Sequence, residues 1–271
     1  MLLATDGDFN VGISDPDQLK QFIEQKRDSG IFLSVLGFGS GNYDDATMQA
    51  LAQNGNGTAA YIDSYREAQR VLAQEVQSTL TTIAKDVKIQ VEFNPATVSE
   101  YRLIGYETRA LNREDFNNDT VDAGDIGAGH TVTAIYEFTP AGESVTQLDP
   151  LRYQTEAPAE DVAGSTDEYA FLKLRYKLPN ADTSTLISEP VRVEDAAADI
   201  AAEPADVRFA TAVAAFAQKL RGNGYADAMS YAQIRALAAG ARGADNAGYR
   251  AEFLSLVDLA ASLSTGEGGI E

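Results

Sequence analysis

The 271-residue sequence contains no cysteine, no tryptophan and a single histidine, His130. Without cysteine there is no disulfide scaffold, no Cys-ligated zinc, no iron–sulfur cluster and no thiol nucleophile. One histidine confines any Ser-His-Asp triad to His130 and excludes a histidine-rich catalytic metal site. Positive charge is scarce as well: 21 Lys and Arg stand against 41 Asp and Glu, a formal net charge of −20. That balance repels nucleic acid and anionic membranes, because phosphate contacts need a surplus of Lys and Arg, and no nucleic-acid partner is expected. It suits a cation such as Mg²⁺ or Ca²⁺ better. No apolar run reaches the roughly 18 residues that span a bilayer. The start, Met1-Leu2-Leu3-Ala4-Thr5-Asp6, has neither the basic region nor the apolar length of a signal peptide, so the expectation from these residues is a soluble chain without an address.

Hydrophobic residues make up 44% of the chain, enough for one large domain or two modest ones at about 100–200 residues each. The texture changes twice. Over residues 1–86 short apolar runs alternate with helical patterns: Leu2-Leu3-Ala4, a helix from Asp15 to Ser29 capped by Ser14, then Ile31 to Gly37, a helix from Asp44 to Asn54, Ala59 to Ile62, and a long helix from Ser64 to Thr82. Leu19, Phe22 and Ile23 stripe the first helix, Gly30 stops it, and Met48, Leu51 and Ala52 point inward from the second. This order predicts α/β structure with a parallel sheet.

From Val87 the period falls to two. Val87, Ile89, Val91 and Phe93 alternate with Lys88, Gln90 and Glu92, and Ala170 to Leu178 alternate with Phe171, Lys173, Arg175 and Lys177. Tyr101 to Tyr106, Thr131 to Phe138 and Leu186 to Val193 are further strand candidates, so residues 87–195 predict an antiparallel β-sandwich. Residues 154–168 read as an exposed loop. Beyond the acidic, Ala-rich connection at 194–204, three amphipathic helices are predicted. Their stripes are Phe209, Val213, Phe216 and Leu220; Tyr231, Ile234 and Leu237; and Tyr249, Phe253, Leu256, Val257, Ala260 and Leu263. This part, 196–271, is expected to pack on the sandwich and to end in a loose Gly-rich tail.

Asp6-Gly7 follows a buried apolar run, which places a carboxylate at the C-terminal end of a parallel strand, where open α/β sheets bind ligands. Asp-Gly is also ordinary turn chemistry. Leu3-Ala4-Thr5-Asp6-Gly7-Asp8-Phe9-Asn10-Val11-Gly12, Val35-Leu36-Gly37-Phe38-Gly39-Ser40-Gly41-Asn42-Tyr43, and Leu51 to Gly57 continuing to Tyr61-Ile62-Asp63-Ser64 together resemble the second half of a bacterial von Willebrand factor type A domain. Leu103-Ile104-Gly105-Tyr106-Glu107 and the segments Arg113 to Asp119 and Asp122 to His130 resemble the C-terminal region of unknown function that follows this domain in a family of bacterial, often exported or lipid-anchored proteins.

The resemblance implies a metal-ion-dependent adhesion site, where three loops hold Mg²⁺ through D-x-S-x-S, a Thr and an Asp. Asp6 matches the Asp. No D-x-S-x-S occurs in this sequence, so the resemblance implies a truncated half-domain with two ligand loops upstream of Met1. One carboxylate does not make the near-octahedral site Mg²⁺ requires, and no Mg²⁺ is expected at Asp6 in this chain. The family strand at Leu2–Thr5 is central, and without its neighbour it invites pairing. The expectation is homodimerisation or strand exchange through residues 1–5, or disorder of much of 1–86.

A second constellation is Asp115, Asn117, Asp119, Asp122 and Asp125. The D-x-N-x-D opening resembles a calcium loop, in which alternating side chains wrap the ion. Thr120 stands where such a loop has Gly, and Ile126 where it has a bidentate acid. The other reading is a solvated β-hairpin loop of Asx-turns. His130, after Gly127-Ala128-Gly129, reads as a surface or hydrogen-bonded loop residue, since no serine in a nucleophile-elbow context accompanies it. The fold class expected is thus α/β plus β, with a helical C-terminal part. The function expected is non-enzymatic: adhesion, protein binding or scaffolding in the bacterial cell envelope. A hydrolase with an acidic site in residues 87–271 is the alternative.

Overall fold

The computed structural model describes residues 1–6, 16–39, 44–75, 81–105, 110–142, 166–222 and 229–266. Two compact units make up the chain. The first comprises Met1–Gln90, Leu111–Thr131 and Leu172–Glu189; the second comprises Val91–Ala110, Val132–Phe171 and Pro190–Glu271.

The first unit opens with β1 (Leu2–Thr5), α1 (Pro16–Asp28), β2 (Ser34–Phe38), α2 (Asp45–Asn54), β3 (Ala59–Ile62) and α3 (Tyr65–Arg70). The three strands form the expected parallel sheet in the order β1-β2-β3, with Leu3 beside Val35 and Val35 beside Ala59. Strand β2 is buried on both faces because helices cover both. On one side Ile23, Leu33, Val35, Met48, Leu51 and Ala52 form a closed core, with Leu3, Leu19 and Ala59 at its margin. On the other, Leu36, Ile62 and Val71 pack with Phe38, Ala60 and Ala68. Phe22 departs from its predicted inward stripe: it is exposed, and the Lys26 ammonium lies over its ring.

Local chemistry sets the helix ends. Asp44 caps α2 by accepting from the Thr47 amide and hydroxyl. Gly30, at φ 84°, ends α1 in the left-handed conformation that costs glycine little. Gly57 has a different reason to be glycine. A Cβ there would lie 1.9 Å from the Leu33 carbonyl oxygen, so the turn after α2 passes against the backbone leading into β2.

The helix expected to run from Ser64 to Thr82 is shorter. After Arg70 a π-helical turn spans Val71–Glu75, residues 76–80 lie outside the described residues, and Thr82 is already the first residue of β4 (Thr82–Phe93). The β-branched run Thr81-Thr82-Ile83 favours a strand. Its alternation is broken by Asp86, at φ 50°, and its antiparallel pairing with β6 (Gly124–Gly127) shifts register between Thr82 and Ala84 and again between Ala84 and Val87. An extra residue in one strand disrupts the ladder locally, and this hides the start of β4 from a period-two reading. Strand β8 (Glu168–Lys177) and β9 (Thr185–Arg192) complete a four-stranded sheet in the order β6-β4-β8-β9.

In the second unit β5 (Val98–Ile104) and β7 (Ile135–Pro140) form a two-stranded antiparallel ribbon, with Tyr101 opposite Phe138 and Leu103 opposite Tyr136. Aromatic contacts bind this region: Phe93 stacks on Tyr101 at 4.3 Å and Phe138 meets Tyr169 at 5.1 Å. Helices α4 (Ala205–Arg221), α5 (Tyr231–Gly240) and α6 (Tyr249–Gly266) enclose their own core of Ala212, Phe216, Ile234, Ala238 and Val257. Phe209, Phe216, Tyr231, Ile234, Leu237, Phe253, Val257 and Ala260 of the expected stripes lie in or against this core, and the departures are at their margins. Ala212 is buried in place of Val213, while Leu220, Leu256 and Leu263 are exposed. Arg102 of β5 donates to Gln218 of α4 at 3.1 Å, joining ribbon and helices within this unit. The expected loop at 154–168 and the loose tail after Gly266 fall almost wholly outside the described residues.

Candidate functional site

Asp6 is exposed, directly after β1, at the C-terminal edge of the parallel sheet. A Cβ on Gly39, which follows β2, would meet the Asp6 Cβ at 4.0 Å, so the two strand ends are neighbours. The Tyr61 hydroxyl of β3 donates to the Gly39 carbonyl at 2.5 Å and fixes that edge. All three strands therefore bring a residue to the place where α/β sheets receive ligands. Among the described residues no set of three His, Asp or Glu side chains is arranged to hold a metal ion. Residues 7–15 and 40–43, which adjoin Asp6 and Gly39 in sequence, lie outside the described residues.

The acidic segment is neither an isolated hairpin loop nor a ring of converging carboxylates. It begins with a 3₁₀ turn at Arg113–Asn117 that buries Phe116, and it ends in β6, which carries Asp125 into the four-stranded sheet. Each predicted ligand has its own partner. Asp115 accepts from the Asn112 amide at 3.0 Å, and Asn117 from Arg175 at 3.0 Å. Asp119 accepts from the Ser184 hydroxyl at 2.6 Å and the Ser184 amide at 3.3 Å. Asp122 pairs with Arg27 at 3.0 Å and accepts from Asn56 at 3.2 Å. Asp125 accepts from the Asp86 amide at 3.1 Å, while its other oxygen is buried without a hydrogen-bond partner among the described residues. One Asx-turn of the expected kind is present, at Asn118, whose side chain accepts from the Thr120 amide and hydroxyl. His130 is exposed, with its amide donating to Gly127.

The sequence missed the cations that face this segment. Lys88 and Lys177 were expected on the polar, outward sides of their strands, but they are 3% and 9% exposed. Lys88 donates to the carbonyls of Asp115 at 3.2 Å and Asn118 at 2.5 Å. Lys177 donates to the Asp86 carboxylate at 2.7 Å and the Asp119 carbonyl at 2.6 Å. Ile89, next to Lys88, is instead 44% exposed. The face of β4 that receives Lys88 is covered by polar backbone, and only a donor satisfies such a cover. The Asp86 amide and carboxylate complete a reciprocal clasp: Asp86 accepts from the Ala123 amide at 3.2 Å while Asp125 accepts from Asp86.

These contacts set the charge states. Hydrogen bonds from the Ser184 hydroxyl and amide hold the Asp119 carboxyl below its usual range. The Asp86 carboxylate beside Lys177 raises its ammonium above the usual value. Burial, with the nearby Asp86 and Asp122 carboxylates, pushes Asp125 up to about 6 against the pull of the Asp86 amide and Lys85. Asp119 is thus held ionised, while Asp125 titrates at about 6. The oxygens of Asp125 are nonetheless turned into the protein, one on a backbone amide and one out of reach of solvent.

The class these features define is a mixed α/β chain with a parallel sheet, antiparallel strands and a helical C-terminal part. The family described as "Uncharacterized protein YfbK, C-terminal" matches residues 78–263. The chain is 49% identical over 262 residues to "Uncharacterized protein YfbK" of Escherichia coli (strain K12), covering 96% of this chain and 44% of that relative. The chain belongs to the YfbK family and spans less than half the length of this curated relative. Two solved structures are also similar. One is the ArnB paralog VWA2 from Sulfolobus acidocaldarius, at 13% identity and a TM-score of 0.35, covering 96% of this chain and 55% of that one. The other is the von Willebrand factor type A protein from Catenulispora acidiphila, at 15% identity and a TM-score of 0.38, covering 89% of this chain and 55% of that one.

Proposed function

We propose that this chain is a protein-binding part of a bacterial cell-envelope protein, acting in adhesion or scaffolding and not as an enzyme. The observation that carries the reading is the C-terminal edge of the parallel sheet, where exposed Asp6 stands beside Gly39 on a short, well-supported platform. An exposed carboxylate on a rigid sheet edge is suited to contact another protein, and in a longer family member it would supply one ligand of a metal bridge. Among the described residues β1 is an outer strand of this sheet; Leu2 at its N-terminal end is 44% exposed and the preceding Met1 64%. An exposed apolar edge strand accepts another strand, from a second copy or from further sequence of the same protein. The cell-envelope setting and a lipid anchor on longer relatives rest on the resemblance of residues 87–271 to the C-terminal region of a family of bacterial, often exported or lipid-anchored proteins.

The acidic segment supports a structural role over hydrolysis. Asp119 is held ionised by Ser184 and is a weak base at neutral pH, and Asp125, which titrates at about 6, is hydrogen-bonded inward. A screen of the chain against ester, glycoside and phosphoester substrates is expected to show no turnover above background. Turnover that falls at least tenfold in Asp119→Asn or Asp125→Asn would replace this reading with a hydrolase.

A further inference from the structure

We propose that the acidic segment 111–127 is a cation-templated loop whose cations belong to the chain itself: the ammonium groups of Lys88 and Lys177 take the place a divalent ion would occupy. The ligands around the two nitrogens are those of a hard cation. They are the carbonyl oxygens of Asp115, Asn118 and Asp119 and the carboxylate of Asp86, all between 2.5 and 3.2 Å. Three of the four come from consecutive turns of the same loop, so the loop is wrapped around the lysine tips much as a calcium loop is wrapped around its ion. An ammonium is a compact point charge with three donors and no acceptor, and nearly buried at both positions it needs oxygens on every accessible side.

The loop's own side chains agree with this arrangement. A bound ion would draw the carboxylates of 115, 119, 122 and 125 together, yet each is engaged elsewhere. Asp115 is held by Asn112, Asp119 by Ser184, Asp122 by Arg27 and Asn56, and Asp125 by the Asp86 amide. Arg175 adds a third cation from β8, donating to Asn117 and Ser184 while its guanidinium lies 5.6 Å from the centre of the Phe116 ring. The residues that break the calcium pattern, Thr120 and Ile126, follow from the same design. A loop closed by lysines from below needs neither the sharp glycine turn nor the bidentate acid that an ion requires.

The test is thermal unfolding of the full chain in CaCl₂ or MgCl₂ up to about 5 mM, which covers even weak extracellular-type sites, against NaCl of equal ionic strength. The melting temperature is expected to stay within about 1 °C. A rise of several degrees that is lost in Asp119→Asn would overturn the proposal, because a metal would then be the loop's cation. Lys177→Ala is expected to melt roughly 5–15 °C lower and to regain part of that loss in Ca²⁺ or in tens of millimolar ethylammonium. Lys177→Met, which fills the space with an apolar chain, is expected to regain nothing. A folded Lys177→Ala that neither cation rescues would overturn the proposal. Lys88→Ala gives the same readout at the other ammonium, and the titration of the unmodified chain depends on no variant folding.

Discussion

Replacing Asp125 by asparagine separates the cost of its charge from the value of its hydrogen bond. In the folded chain its carboxyl titrates at about 6, against an ordinary 3.8, because it is buried near the Asp86 and Asp122 carboxylates. Between those two values the folded state holds a proton that the unfolded state has lost. Stability therefore falls as pH rises through this window, and the burial cost is fully felt above it. A shift of this size corresponds to about 3 kcal/mol at most. Water still reaches part of the carboxyl, so screening reduces this to about 1–2 kcal/mol. The amide oxygen of asparagine can still accept from the Asp86 amide. At pH 7.5 Asp125→Asn is expected to be more stable than the parent by about 1–2 kcal/mol, or roughly 2–8 °C in melting temperature. The advantage is expected to shrink steadily and vanish near pH 4. Urea unfolding followed by circular dichroism at half-unit pH steps measures this directly. A variant less stable than the parent at pH 7.5, or a difference independent of pH, would refute the assignment of Asp125 as a buried, charge-strained carboxyl.

Other consequences can be checked on the same samples. Gly57→Ala places a methyl 1.9 Å from the Leu33 carbonyl oxygen and is expected to cost roughly 3 kcal/mol, read as a drop in urea midpoint. Met48→Ala and Ile234→Ala each empty a fully buried site and are expected to cost about 2–5 kcal/mol. Asp122→Ala removes a half-exposed ion pair with Arg27 and is expected to change stability by less than about 1 kcal/mol, with the change fading in high salt. Asp6→Ala, at an exposed position, is expected to leave stability unchanged within about 0.5 kcal/mol, which frees it for use in binding experiments.

The parallel half of the fold was legible because its helices are amphipathic and its strands short and apolar. Met48, Leu51 and Ala52 were expected to face inward, and all three are buried. The third helix was overextended because Val76 and Leu80 continue a helical spacing, while the strand that starts at Thr82 has its alternation broken by the left-handed Asp86. The candidate loop was found by its Asp and Asn spacing, but its real partners were not. Lys88, Arg175, Lys177 and Ser184 lie 27 to 65 residues away from the loop positions they contact. A lysine opposite an apolar residue on a strand reads as solvent-facing, and nothing local marks a face covered by backbone carbonyls. Two lysines at alternating positions on strands that flank an acid-rich segment are the one signal that was available. The exposed Val213, Leu220, Leu256 and Leu263 of α4 and α6 have a similar cause, since period alone does not say which residue at the margin of a stripe is covered.

Site-specific photo-crosslinking tests the binding claim most directly. A photoreactive phenylalanine analogue at Leu2 or Asp6 reports on the exposed edge of the parallel sheet, and the same probe at exposed Ala50 on α2 serves as the control. With the protein expressed in the envelope of a bacterial host, discrete protein adducts are expected from positions 2 and 6 and none from position 50. Adducts that are equal at all three positions, or absent from 2 and 6, would contradict a protein-binding role for this edge.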